Sequence, residues 1–459
     1  MIDLTRSLVA QWTRLGPRFL PFADAASPDL PLSRLLRLSL FQASVGMALV
    51  LLVGTLNRVM IVELSVPASL VALMVALPVL YAPLRALIGH RSDTHRCALG
   101  WRRVPFIWMG TMLQFGGLAV MPFALLVLSG GGQAAQWPAW VGWAGAGVAF
   151  LLVGAGLHTV QTAGLALATD LAPPDSRPRV VGLMYVTLLA ATVVSALAFG
   201  AFLREFSPAR LVQVIQAAAV LTLLLNTVAL WKQETRRPAH RVAPTEAPGF
   251  AQAWRSLMQG EGARSRLLAI GLGTLAFGMQ DVLIEPYGGQ VLGMGVGETT
   301  WLTAALAAGG LAGFAVASSI LARGADPARM ALAGAVLGVP AFVAVLVSAS
   351  LQSVGVFAGG VLLVGFGAGL FAHGTLTLTM NRAPREQVGL ALGAWGAVQA
   401  TAAGVAVAAG GLLRDGVSLL ALQRVFGESL ARPTTGYAAV YLLEIALLVA
   451  TIVVLAALV

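Results

Sequence analysis

The chain has 459 residues, of which 58% are hydrophobic and only 10% charged, with a mean hydropathy of +0.85. Soluble domains carry about a quarter charged residues, so this composition excludes a water-soluble enzyme, a nucleic-acid-binding module and a disordered chain. It points to an all-α, polytopic membrane protein, in which the net charge of +10 is a topology signal rather than a nucleic-acid footprint.

Residues 1–34 hold Pro17, Pro21, Pro28 and Pro31 and lack the apolar core of a signal peptide. Leu4, Leu8, Trp12 and Leu15 fall on one face of a short helix suited to the membrane surface. A spanning helix needs about 20 mostly apolar residues. Six such stretches follow near 36–61, 66–88, 104–128, 140–168, 179–203 and 210–231, and six more near 267–290, 299–322, 328–350, 353–380, 387–413 and 437–459. The expected organisation is a tail (1–34), a six-helix bundle (35–231), a polar linker (232–266) and a second six-helix bundle (267–459). The linker carries seven basic residues, among them Lys232, the only lysine of the chain; Phe250, Trp254, Leu257 and Met258 suggest a short interfacial helix within it.

Loop charge tests this count. With the N-terminus inside, 23 of the 29 basic residues fall on the inner side and five on the outer, with Arg58 inside a span. Positive charge marks the cytoplasmic side, so both termini are expected there. The halves also echo one another. Asp170-Leu-Ala-Pro173 and Val181-Gly-Leu183 follow span four, as Asn381-Arg-Ala-Pro384 and Val388-Gly-Leu390 follow span ten. Repeated halves are the habit of membrane transporters, and a 6+6 repeat around a basic linker is the major-facilitator arrangement.

Between spans two and three lies Gly89–Arg103, with Gly89 and Asp93 at the superfamily's spacing and Gly100 later than that pattern expects. Asp93 is placed to accept hydrogen bonds at a helix N-terminus and to pair with an arginine, clasping the two halves at the cytoplasmic end. Arg96, Arg102 and Arg103 would meet anionic lipid headgroups, or serve topology alone. The counterpart around Gly324, Asp326 and Arg329 is degenerate.

A charge at the bilayer midplane costs at least ~2.5–3.5 kcal/mol, so it has a partner or a task. Arg58 and Glu63 lie at the outer end of span one, and Asp281 and Glu285 in the outer half of span seven. An ion-pair latch between Arg58 and Asp281 or Glu285 is expected; the alternative is that Arg58 and Glu63 snorkel to the interface. Glu444 in span twelve stands isolated and receives no role. Two histidines fall within spans, His158, one turn from Gln161, and His373. Each can ligate a chlorin magnesium, relay a proton or bond a carbonyl. Small-xxx-small pairs such as Gly355/Gly359 and Gly365/Gly369 predict close helix packing. No nucleophile–base–acid constellation appears and no metal site is predicted; the chain reads as a non-enzyme, and Cys97, alone, excludes an internal disulfide.

Gly16-Pro-Arg-Phe-Leu-Pro-Phe-Ala-Asp24, Leu36-Arg-Leu-Ser-Leu-Phe-Gln42, Gly54-Thr-Leu-Asn-Arg-Val-Met-Ile-Val-Glu63 and the Gly89–Arg103 loop running into Trp108 resemble the PucC/LhaA family. This is a bacteriochlorophyll-delivery branch of the major facilitator superfamily, and the resemblance is nearer to its PucC branch. It implies a protein of the photosynthetic inner membrane of purple bacteria that assists assembly of light-harvesting complexes. Its partners would be antenna polypeptides and, as a transient ligand, bacteriochlorophyll. Set against this is a proton-coupled secondary transporter of a small solute. The apolar, Gly-rich spans favour an assembly factor, since coupled symport usually needs an acid deep in the cavity and the acids here cluster at the outer end.

Overall fold

The computed structural model describes residues 30–80, 88, 92, 101–130, 133, 136–173, 176–234, 258, 262–382, 388–432 and 434–459. The predicted surface helices in the tail and the linker, together with Gly89, Asp93, Arg96 and Gly100, lie outside these residues. Among those described, every regular element is helical. In chain order they are α1 (Leu32–Glu63), α2 (Ala68–Leu80), α3 (Val104–Leu128), α4 (Ala139–Leu171), α5 (Arg177–Phe202) and α6 (Pro208–Leu230). The seventh is in two pieces, α7a (Ala263–Gly278) and α7b (Ile284–Leu292), followed by α8 (Val296–Leu321), α9 (Pro327–Leu351), α10 (Val354–Arg382), α11 (Val388–Leu422) and α12 (Thr434–Ala456).

Ten of these helices are long and apolar enough to cross a membrane, and α7a with α7b makes an eleventh if the bent pair is one span. Helix α2 is the described part of a stretch whose continuation, residues 81–87, is not described. The composition thus delivers what it implied: a multi-pass, all-helical membrane protein. Lipid-facing positions such as Phe123, Val194, Phe202 and Leu442 are exposed on the surface, whereas α1 is enclosed by its neighbours for most of its length.

Helix pairing follows one pattern twice. Helix α3 packs on α4, α1 on α5 and α6, and α2 on α4; correspondingly α9 packs on α10, α7a on α11 and α12, and α8 on α10. The two sets meet through α2 against α11 and α5 against α8. Where helices cross most closely, backbone lies on backbone: a Cβ on Gly309 or Gly313 would run into the carbonyls of Leu362 or Phe366, and one on Gly365 or Gly369 into those of Leu306 or Gly310. The Gly365/Gly369 pair therefore packs α10 on α8, as expected of small residues in a membrane. The Gly355/Gly359 pair does not: Gly359 faces open space.

The ends of the bundle differ in chemistry. Arg34, Arg102 and Arg103 mark one end, called here the basic end; Arg58, Glu63 and Asp415 lie toward the other, the far end. Carboxylates cap two corresponding helices at the basic end. Asp326 Oδ1 accepts from Ala328 N at 2.8 Å at the start of α9, while the start of α3 is capped from a distance by Glu234, just beyond α6.

Gly365→Val is expected to cost about 1–3 kcal/mol through overpacking, read as a lower thermal midpoint of the purified protein, whereas Gly359→Val should leave that midpoint unchanged.

Candidate functional site

Helix α1 contains two π-helical stretches, Val50–Thr55 and Val59–Glu63. A π turn closes i→i+5, which sets residues five apart about one turn from each other. Arg58 and Glu63 have that spacing, and Arg58 Nη1 donates to Glu63 Oε1 at 3.0 Å. Arg58 is only 4% exposed. Its Nη2 donates to the Met294 carbonyl at 3.2 Å, and its guanidinium lies so close to Gly289 that a Cβ there would overlap it. The expected latch is therefore corrected. Arg58 does reach the second set of helices, but through a backbone carbonyl; its carboxylate partner is Glu63, and neither Asp281 nor Glu285 takes the ion pair. Burial also removes the snorkelling alternative for Arg58.

Glu285 serves the same junction differently. It is buried in α7b, accepts a hydrogen bond from the Thr303 hydroxyl of α8, and rests on Gly54 of α1, where a Cβ would strike both groups. One turn on, Thr55 Oγ1 and Thr300 Oγ1 are 3.3 Å apart. Two further hydrogen bonds between the two sets lie at this same end. Ser69 N donates to Asp415 Oδ2 at 2.6 Å, and Trp301 Nε1 to the Leu197 carbonyl at 3.2 Å, its indole filling the space left by Gly200.

The break in the seventh span has a sequence cause. Pro286 has no N–H, and its ring disfavours a helical carbonyl four residues earlier. That residue is Val282, whose carbonyl instead accepts from Asn57 Nδ2 of α1 at 3.3 Å. The backbone passes through a 3-10 turn, Met279–Val282, and the helix axis bends by 47°. Glu444, left without a role above, is fully buried in α12 and accepts the Gln280 N–H of this turn at 2.7 Å. Asp281 Oδ1 accepts from Gln280 Nε2 at 2.5 Å. Asp281 and Glu444 thus belong to a hydrogen-bonded kink, and Glu285 to the junction with α1 and α8.

At the basic end the structure again redistributes roles. Arg102 Nη2 and Arg103 Nε both bond Asp170 Oδ2 of α4, at 2.7 and 3.0 Å, and Arg103 Nη1 bonds Ser92 Oγ at 2.5 Å. Arg103 is buried and cannot serve lipid headgroups; Arg102 is half-exposed. These contacts stay within the first six helices instead of joining the two sets. Asp93 lies outside the described residues; the start of α3 is capped by Glu234, whose carboxylate accepts the backbone N–H groups of Arg102, Arg103 and Val104 at 2.8–3.2 Å. Gln233 is tied to Arg34 through Arg34 Nε (3.1 Å) and through its own carbonyl (2.6 Å). An acid 130 residues from the helix it caps leaves no local signature, which is why spacing missed Glu234.

His158 and His373 are half-buried on α4 and α10, and Gln161 is buried. The His373 ring packs on Phe314 of α8 with centroids 4.2 Å apart, and its Nδ1 has no hydrogen-bond partner. The structure brings the two histidines to corresponding helices, each within its own set. Among the described residues no group of three or more His, Cys, Asp or Glu is placed to hold a metal ion.

The described helices thus form two corresponding sets that share hydrogen bonds at the far end. The crystal structure of a bacterial homologue of the human lysosomal transporter Spinster, in an inward-facing and unoccupied conformation, matches with a TM-score of 0.70 at 14% identity, covering 94% of this chain and 97% of that one. The fold is thus of the major-facilitator type. The PUCC protein family profile matches residues 55–459, and the chain belongs to that family. It is 62% identical over 422 residues to Protein PucC of Rhodovulum sulfidophilum, covering 91% of this chain and 93% of that protein. Against Protein PucC of Cereibacter sphaeroides the identity is 58% over 442 residues, 96% of this chain and 95% of that protein. A more distant relative is the bacteriochlorophyll synthase 44.5 kDa chain of Rhodobacter capsulatus, 30% identical over 398 residues, 84% of this chain and 87% of that one.

Glu63→Ala strands a buried guanidinium and is expected to cost about 3–5 kcal/mol. Arg58→Ala leaves only a hydratable carboxylate and should cost less. In a double-mutant cycle by thermal unfolding, the pair of substitutions should fall near the Arg58→Ala value, while Arg58→Ala and Asp281→Ala should add.

Proposed function

We propose that this protein is an assembly factor for bacterial light-harvesting complexes, delivering bacteriochlorophyll to antenna polypeptides, chaperoning those polypeptides, or both. Family membership along nearly the whole chain carries this reading. The fold supplies what the task requires, a polytopic scaffold with broad lipid-exposed faces. We read it as twelve crossings in two six-helix bundles, 35–231 and 267–459, with the linker 232–266 and both termini cytoplasmic in the photosynthetic inner membrane. Two observations support the orientation: 23 of 29 basic residues fall on one side of the sequence-read topology, and among the described residues the hydrogen bonds between the bundles include a group at the opposite end. Closure at the far end corresponds to an inward-facing state.

Pigment is cargo in this account. His158, Gln161 and His373 are its candidate ligands inside the bundle, and the unpartnered His373 Nδ1 fits a nitrogen available to a metal centre or a proton. A second reading, a proton-coupled transporter of a small solute, is favoured by the fold and by the buried Glu444 at the broken helix.

Deletion of the gene should lower antenna absorbance while synthesis of free pigment continues; unchanged antenna levels would overturn the assembly reading. Gentle-detergent purification should yield near-infrared pigment bands and antenna polypeptides, against a colourless protein that moves solute in liposomes if the second reading holds. Retention of all co-purified pigment by His158→Ala and His373→Ala would remove the histidines from the account.

A further inference from the structure

The first residues of α3 and the last of α6 form the two walls of a cavity of about 620 Å³ at the basic end, open to the lipid side. Trp101, Pro105 and Trp108 line one wall, and Leu230, Trp231 and Lys232 the other. Trp108 is 42% and Trp231 61% exposed, so both indoles face the bilayer interface.

The cavity is built rather than incidental. Its walls are held together by Glu234, which accepts three backbone N–H groups at the start of α3, and by the paired bonds between Gln233 and Arg34. Lys232 has φ +53°, in the left-handed region that side chains other than glycine seldom adopt. That turn buries Gln233 completely while leaving Trp231 and Lys232 on the rim. Strain of this kind persists where the surroundings enforce it, often at ligand clamps.

The chemistry of the lining selects a ligand. The Glu234 carboxylate and the Gln233 amide are already bonded, and the Thr227 hydroxyl donates to the Leu223 carbonyl. What remains is a set of donors, the Lys232 ammonium and the indole N–H groups of Trp108 and Trp231, around an aromatic floor. An occupant needs a flat apolar body for the indoles and accepting oxygens at one edge. A phospholipid fits less well. Among the described lining residues its phosphate would meet one ammonium and no second cation, and an acyl chain gains nothing from indoles that leucine would not give.

We propose that this cavity is a lateral docking site for a bacteriochlorophyll-type tetrapyrrole ester, stacked on the tryptophans with its ring ketone and ester carbonyls toward Lys232. The assignment rests on the pigment-handling part of the proposed function and adds to it a point of entry from the bilayer, separate from His158 and His373.

The test uses the full-length protein in phosphatidylcholine nanodiscs titrated with bacteriochlorophyll a, read by quenching of tryptophan emission and by pigment circular dichroism. Saturable binding is expected, weakened about tenfold or more by Lys232→Gln and by the double variant Trp108→Leu/Trp231→Leu. Lys232→Arg should recover most of it, and His158→Ala/His373→Ala should bind as the unaltered protein. Wild-type binding by the Lys232 and tryptophan variants would overturn the site while leaving pigment delivery standing. Loss of pigment binding in phosphatidylglycerol nanodiscs, with Lys232-dependent retention of that lipid, would make it a phospholipid site. No pigment binding at all would overturn the occupant, whereas the assembly reading stands or falls by the deletion strain.

Discussion

A charged or polar group within the apolar layer has no water to fall back on, so its partner must come from the protein. That constraint organises this molecule. Arg58 finds Glu63 and a carbonyl of the opposite set; Glu285 finds Thr303; Glu444 finds the N–H freed at the broken helix. Two of these bonds, Arg58 to the Met294 carbonyl and Glu444 to the Gln280 N–H, join elements that are distant in sequence. The polar minority of residues therefore decides which apolar helices stay together, while the apolar majority sets only that they are helices in a membrane.

Glycine makes these solutions reachable. Glu285 can lie against α1 because Gly54 has no side chain, and Arg58 against α7b because Gly289 has none. Close backbone approach in a bilayer is usually discussed as packing between helices. Here two glycines also make space for a carboxylate and a guanidinium, so the same residue type serves both packing and electrostatics.

Much of the fold was legible before any coordinates. Helix positions followed from apolar run length, and the need of Arg58, Asp281 and Glu285 for protein partners from the cost of burying charge. Their partners were not legible, for a physical reason. Pairing across helices depends on rotation about each axis, and in α1 the π turns shift that rotation by an amount no periodicity of 3.6 anticipates. Glu444 and Glu234 were missed similarly: each caps or ties an element more than a hundred residues away. The tryptophan cavity escaped because its walls, Trp101–Trp108 and Thr227–Glu234, are more than a hundred residues apart and meet through the packing of α3 on α6 and the Glu234 cap. The only lysine of the chain, Lys232, sits at its rim.

The attachment of Glu234 to the start of α3 has a mechanical consequence. A chain leaving a helix normally hands any tension to that helix alone. Here the last described residues after α6 are bonded to α3 and, through Gln233, to Arg34 of α1. A pull on the linker is shared among three helices of the first set, and it acts first on the seam between α3 and α6. Whatever grips the linker thereby acts on that seam as well as on the end of α6.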